Sequence, residues 1–145
     1  MNLIIDKNVL RAACTGDNPR GETDAAAIRI LCDVVNCTHR LIVTREIEND
    51  YIRIFDEMKK PQGPNSLLAC KFYFDAKKIG KVDNTRTNAE LPAIVDEGGV
   101  KDEDLPFARL ANITGATLVT YDDPLLQKLG ERAKLPRNVI ELSQN

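Results

Sequence analysis

The sequence predicts a three-layer α/β/α sandwich, a central parallel sheet of about five strands covered by helices on both faces, in one domain spanning residues 1–145. Three observations lead there. The runs Leu3-Ile4-Ile5, Leu41-Ile42-Val43-Thr44 and Thr117-Leu118-Val119-Thr120 have the unbroken apolar character of strands buried on both faces. Stretches with apolar residues at helical spacing separate them. Strands that alternate with helices pair in parallel, because each crossover lays a helix on the sheet. A chain of 145 residues is long enough to bury such a core in a single unit.

The elements follow in order. Leu3-Ile4-Ile5 ends at Asp6 as the first strand, and residues 8–14 form one or two helical turns. The break at 15–21 holds Gly16, Pro19 and Gly21. Thr23 or Asp24 then caps a helix whose stripe is Ala27, Ile30, Leu31, Val34 and Val35. The strand at 41–44 feeds a helix over about 45–59, with Ile47, Tyr51, Ile54, Phe55 and Met58 on one face, ended by Pro61-Gln62-Gly63-Pro64. Asn65 or Ser66 caps the next helix, which carries Leu67, Leu68, Phe72 and Ile79. Residues 80–101 are harder to read, but a structureless loop of that length is unusual in a compact domain, so a short strand or helix is expected inside it. A helix over about 103–114 with Gly115 as C-cap leads to the strand at 117–120. A helix from 124 to about 133 and a short strand at Val139-Ile140-Glu141 complete the chain.

Composition narrows the chemistry. Twenty basic and twenty-two acidic residues give a net charge of −2, so nucleic acid would have to be met by a local basic patch. Lys59-Lys60, Lys71, Lys77-Lys78, Lys81 and Arg86 are candidates for it, although a solvated helical face explains them equally well. In Phe72-Tyr73-Phe74 at least one ring belongs to the core. The N-terminus has no basic leader or long apolar run, which predicts a cytoplasmic protein without a signal peptide or membrane span. Cys14, Cys32, Cys37 and Cys70 lack Cys-x-x-Cys spacing and read as reduced thiols. The single histidine, His39, reads as an exposed loop residue. A His/Cys zinc site and a His-dependent nucleophile are therefore disfavoured, which leaves oxygen ligands.

Ligands of open parallel sheets bind at the carboxyl ends of the strands. Asp6 and Asp122 each fall just past a strand, Asp104 lies in the first turn of the helix before the 117–120 strand, and Asp50 lies one turn beyond Glu46 in the helix after 41–44. Asn8 is the better helix cap, which leaves Asp6 open to another role. Pro124 suits a first helical position, so Asp123 reads as the N-cap and Asp122 as the acid without a structural task. Acids that converge repel one another, and a hard divalent cation is the usual remedy.

These residues resemble the PIN domain family of ribonucleases. Leu3-Ile4-Ile5-Asp6-Lys7-Asn8-Val9-Leu10 is similar to the family's opening motif. Asp104-Leu105-Pro106-Phe107-Ala108-Arg109-Leu110-Ala111, with Leu118-Val119-Thr120-Tyr121-Asp122, is similar to its C-terminal motif. Ile42 to Tyr51 is similar to the segment carrying the family's second acid, with Asp50 in register and Glu46 as rival. The resemblance implies metal-dependent cleavage of single-stranded RNA, with Asp6, Asp50, Asp104 and Asp122 holding Mg²⁺ or Mn²⁺. It makes Asn8 and Thr120 polar supports at the substrate site. Small bacterial members are often toxins of toxin–antitoxin pairs and commonly dimerise, so an antitoxin protein and a second copy are implied partners beside RNA.

Two positions depart from the pattern. Lys7 stands where a small hydroxyl residue is usual, either competing with the cation or reaching a substrate phosphate, and Asp50 is one methylene shorter than the usual Glu. An inactive PIN-like module that binds RNA or protein is the alternative these departures leave open. A response-regulator receiver fits less well, since only Asp6 follows the first strand and the second apolar run ends in Thr44. A hydrolase of the Asp-x-Asp type fails at Asn8.

Overall fold

In the computed structural model, which describes residues 1–62 and 64–144, five parallel strands form one sheet in the order β3-β2-β1-β4-β5. The strands are β1 (Asn2–Ile5), β2 (Arg40–Thr44), β3 (Val82–Arg86), β4 (Thr117–Val119) and β5 (Ala133–Lys134). The helices are α1 (Lys7–Thr15), α2 (Ala26–Asn36), α3 (Arg45–Gln62), α4 (Pro64–Lys78), α5 (Leu105–Thr114), α6 (Asp123–Leu129) and α7 (Pro136–Gln144). Helices α1 to α4 pack on one another, α7 packs on α2, α5 lies against β1 and β4, and α6 borders β5. The result is the three-layer sandwich that the alternation of elements predicts.

The chain winds from β1 outward to β2 and β3, then returns across β1 to β4 and continues the other way to β5. The order therefore reverses between β1 and β4, and crossovers on the two sides send their helices to opposite faces. A crevice opens at the carboxyl ends of those two strands. The seam beneath it is sealed by buried residues in register, Ile4 opposite Leu118 and Ile5 opposite Val119.

Sequence and structure agree on the buried stripe of α2, where Ala27, Ile30, Leu31 and Val34 face the core, and on Ile47, Tyr51, Ile54 and Phe55 of α3. The N-cap of α2 is Ala25, not Thr23 or Asp24, and it makes no side-chain capping bond; the Asp24 carboxylate just before it accepts from the Ala26 N–H at 2.9 Å. Gly115 ends α5 with φ 72°, a left-handed conformation that costs glycine little. The region at 80–101 contains β3 and a 3₁₀ turn at Asn88–Glu90. β3 is an edge strand rich in polar residues, so no apolar run announces it.

Several expectations fail for identifiable reasons. The residues Val139-Ile140-Glu141 are helical, within α7, and the fifth strand is Ala133–Lys134. Two adjacent β-branched residues imitate a strand, but Pro136 opens a helix and Val139 docks fully buried. Asn65 and Ser66 lie inside the first turn of α4, which begins at Pro64. The break read at 61–64 turns on Gly63, which lies outside the described residues. On α4 the buried face is Ala69, Tyr73 and Ala76, while Leu67, Leu68 and Ile79 are exposed. His39 is buried at 4% exposure, where its ring meets the Ser143 hydroxyl of α7 at 2.9 Å. Of the triple aromatic run it is Tyr73 that fills the core, packing edge-on to Tyr51 at 5.6 Å.

Tyr73 also donates at 2.6 Å to Glu48, a buried carboxylate that Lys77 meets at 2.9 Å. Tyr73→Phe leaves a buried acceptor short of a donor, and is expected to cost about 1–3 kcal/mol in urea unfolding. An unchanged midpoint would mean that Lys77 and Asn84 satisfy Glu48 alone.

Candidate active site

An open cleft of about 300 Å³ lies at the carboxyl ends of β1 and β4, lined by Asp6, Lys7, Asn8, Arg11, Lys101, Glu103, Asp104 and Asp122. Asp6 closes β1 in extended conformation and is also the N-cap of α1, which corrects the assignment of that cap to Asn8. Its backbone N–H donates to the Val119 carbonyl at 3.0 Å, so the ladder between β1 and β4 extends to the acid itself. One carboxylate oxygen accepts from the Lys7 N–H at 2.7 Å and the other from the Thr120 hydroxyl at 2.7 Å.

Thr120 is wholly buried, so it positions groups without reaching a substrate itself. Its hydroxyl oxygen accepts from the Asp122 N–H at 3.0 Å and from the Asn8 amide at 3.4 Å. Asn8 in turn accepts from the Tyr121 N–H at 3.2 Å. One hydroxyl thus sets the first acid and the backbone of the last in fixed relation. Beneath them the Tyr51 hydroxyl donates to the Ile5 carbonyl, which pins the end of β1 to α3.

Asp6 is 3% exposed, and burial pushes its carboxyl up to about 6, opposed by the Thr120 hydrogen bond and reinforced by the negative charges of Asp104 and Asp122. Asp104 is raised too, by partial burial first and then by Asp122 and Glu103, with Lys7 and Lys101 pulling the other way. The carboxylates of Asp104 and Asp122 accept no hydrogen bond among the described residues. Asp122, and not Asp123, is the N-cap residue of α6, yet its side chain makes no capping bond; Asp123 begins the helix.

The central acid stands apart. Asp50 does not line the cleft, and its carboxylate pairs with Arg53 at 2.6 Å. The Tyr51 hydroxyl is raised by burial first and then by the charges of Asp6 and of its chain neighbour Asp50. Glu46 is committed elsewhere, since its two oxygens take the Asn88 N–H at 3.1 and 3.0 Å and hold the 3₁₀ turn against α3. In this conformation no three His, Cys, Asp or Glu side chains among the described residues are gathered as a metal cage.

The cations of the cleft are ones the sequence did not single out, apart from Lys7. Lys7 extends its ammonium over the Phe107 ring at 5.9 Å from the centroid, within the field of Asp104. Arg11 comes from α1, and Lys101 from the loop before α5. That loop is clamped by Arg109, which donates to both oxygens of Glu97 at 2.6 and 2.8 Å and pulls its carboxyl down to about 2. Lys128 of α6 holds Asp96 of the same loop at 2.8 Å. Three lysines of the centre have partners elsewhere. Lys71 pairs with Asp75, Lys77 with Glu48, and Lys81 caps the Cys37 carbonyl at the amino end of the sheet, while the side chains of Lys59 and Lys60 lie outside the described residues.

Fold and site together define a parallel α/β protein with an acid-rich cleft at its topological switch point. No protein-family model matches the chain, and no curated protein matches it. No helix among the described residues is long and apolar enough to cross a membrane.

Folding moves Asp6 from 3.8 to about 6, so the native state favours its protonated form. The stability this contributes is fully present below about pH 4 and is lost as pH rises through about 6. Asp6→Asn should remove that slope and gain roughly 2–3 kcal/mol over wild type at about pH 8. Urea unfolding in EDTA across this pH range tests it, and parallel profiles for the two proteins would contradict it.

Proposed function

We propose that this protein is a divalent-metal-dependent endoribonuclease of the PIN type that cleaves single-stranded RNA. The observation that supports the reading is that Asp6, Asp104 and Asp122 line one cleft at the switch point, two of them with no hydrogen-bond donor on their carboxylates among the described residues. Mutually repelling, partly dehydrated acids that lack donors leave a demand for positive charge that Lys7 and Lys101 meet only in part. The donor set is all oxygen, which fits Mg²⁺ or Mn²⁺ and suits neither zinc nor copper.

Asp6, Asp104 and Asp122 would hold the ion, which supplies activation of water and stabilisation of the leaving oxygen at neutral pH. The protein's own part is positioning. Thr120 and the Lys7 N–H keep Asp6 in one orientation, so its charge is aimed before substrate arrives. Lys7 on its flexible stem is free to move from Phe107 to a phosphate oxygen. Asp50 joins the set only by leaving Arg53, and an exposed i,i+3 pair of this kind costs about 0.5 kcal/mol or less to break.

Mn²⁺-dependent cleavage of a single-stranded oligonucleotide, abolished by EDTA, is the expected activity. Asp104→Asn and Asp122→Asn should each lower the rate about 10²-fold or more, the scale on which one lost electrostatic group costs an enzyme. Their melting temperatures should hold or rise, because neither carboxylate bonds to the protein and losing one charge relieves the repulsion among the acids. Activity that persists in EDTA rejects the metal mechanism. Asp50→Ala should weaken Mn²⁺ binding more than Glu46→Ala, whose damage is to stability through Asn88; the reverse ranking would make Glu46 the ligand.

The second reading is a PIN-like binding module without catalysis. It is favoured by the lysines among the acids and by the ion pair that holds Asp50 away. Calorimetric titration decides between them, since a module of this kind takes up no Mn²⁺ while still retaining RNA.

A further inference from the structure

A second cleft, of about 190 Å³, is lined by Tyr121 and Asp123, the chain neighbours of Asp122, together with Arg20 and Arg137. Neither guanidinium makes an ion pair or hydrogen bond among the described residues. Arg20 sits on a rigid turn. Asn18 accepts from the Arg20 and Glu22 N–H groups at 3.0 and 3.1 Å, and the Asp17–Thr23 bridge closes the base. Arg137 stands in the first turn of α7. Pro19, Tyr121, Leu135 and Pro136 contribute apolar surface to the same lining. The Tyr121 ring is fixed there, because its hydroxyl donates to Asp24 at 3.0 Å.

We infer that this cleft binds a nucleotide unit of the RNA strand next to the one being cut, with its phosphate on Arg20 and Arg137 and its base or ribose against Tyr121 and the prolines. The inference rests on the nuclease reading above and adds the path of the substrate to it. Arginine forks recognise phosphate by paired hydrogen bonds, and flat rings accept any base by stacking. The volume lies below that of pockets that enclose a whole small molecule, so the occupant is one unit of a longer chain. Continuity fixes the polymer's route, since Tyr121 and Asp123 line this cleft and Asp122 between them lines the acidic one.

Three acids line the cleft beside its arginines. Asp24 accepts from the Ala26 N–H and the Tyr121 hydroxyl and Glu22 from the Asn18 amide, which holds both carboxylates on fixed donors, and Asp123 is the third. They remove any long-range attraction for polyanions, so the arginines act at contact. This agrees with a chain whose net charge is −2.

The test is anisotropy of a labelled single-stranded octanucleotide in EDTA, with wild type and the Arg20→Gln/Arg137→Gln double variant, at several salt concentrations. Both side chains are exposed and make no hydrogen bond or ion pair among the described residues, and circular dichroism checks that the double variant folds. The expected result is an affinity at least ~10-fold lower, with a salt slope flatter by about 1.4 for two lost contacts to a single strand. The Arg→Lys pair should restore the slope. A double variant that binds as wild type does, with an equal slope, overturns this inference while leaving the nuclease reading intact. A wild type that neither binds nor cleaves RNA overturns both.

Discussion

The pairing of β1 with β4 is the constraint on which the rest of the site depends. These strands are neighbours in space and far apart in sequence, and their parallel register puts Ile5 beside Val119. Carrying that register one residue further sets Asp6 beside Thr120, and the Thr120 hydroxyl then closes on the carboxylate at 2.7 Å. A slip of one residue would turn every side chain on β4 to the other face and lose this contact. The seam cannot slip because Leu3, Ile4, Ile5, Leu118 and Val119 are all buried, so any other register would expose apolar surface.

From that seam the two sides of the cleft are built differently. The β1 side is stiff, since Asp6 serves the strand ladder and the start of α1 at once, and Tyr51 ties down the residue before it. The other side is a loop-and-helix wall in which the Arg109–Glu97 and Lys128–Asp96 pairs hold the segment leading to Lys101 and Asp104. A buried, hydrogen-bonded acid thus faces two acids without partners across an open gap. Charge is concentrated there at the expense of stability, and such local conflicts between stability and electrostatics cluster at functional sites.

Much of this was legible in the sequence. Unbroken apolar runs identify β1, β2 and β4 because strands buried on both faces have no polar alternation. Asp6 and Asp122 could be placed past strand ends, and Gly115 marks a helix end through its tolerance of positive φ. The edges of the sheet were not legible. β3 is a polar edge strand and β5 has only two residues, so neither carries a pattern that local reasoning can detect. The burial of His39 also escaped, since it depends on α7 returning from the far end of the chain.

What the sequence by itself determined is the three central strands, most of the helices and the chemistry available, one histidine against many carboxylates, because periodicity and composition are local properties. Only the tertiary structure decided which acids meet. The sequence puts Asp50 in register with Glu46 as its rival one turn away, yet the fold spends Glu46 on the Asn88 backbone and pairs Asp50 with Arg53. It decided likewise that Arg11, Lys101 and the Arg20–Arg137 cleft flank the acids, since those residues come from separate elements. The physical reason is that a side chain's partner is set by the packing of helices and strands distant in sequence, and no local pattern records that packing.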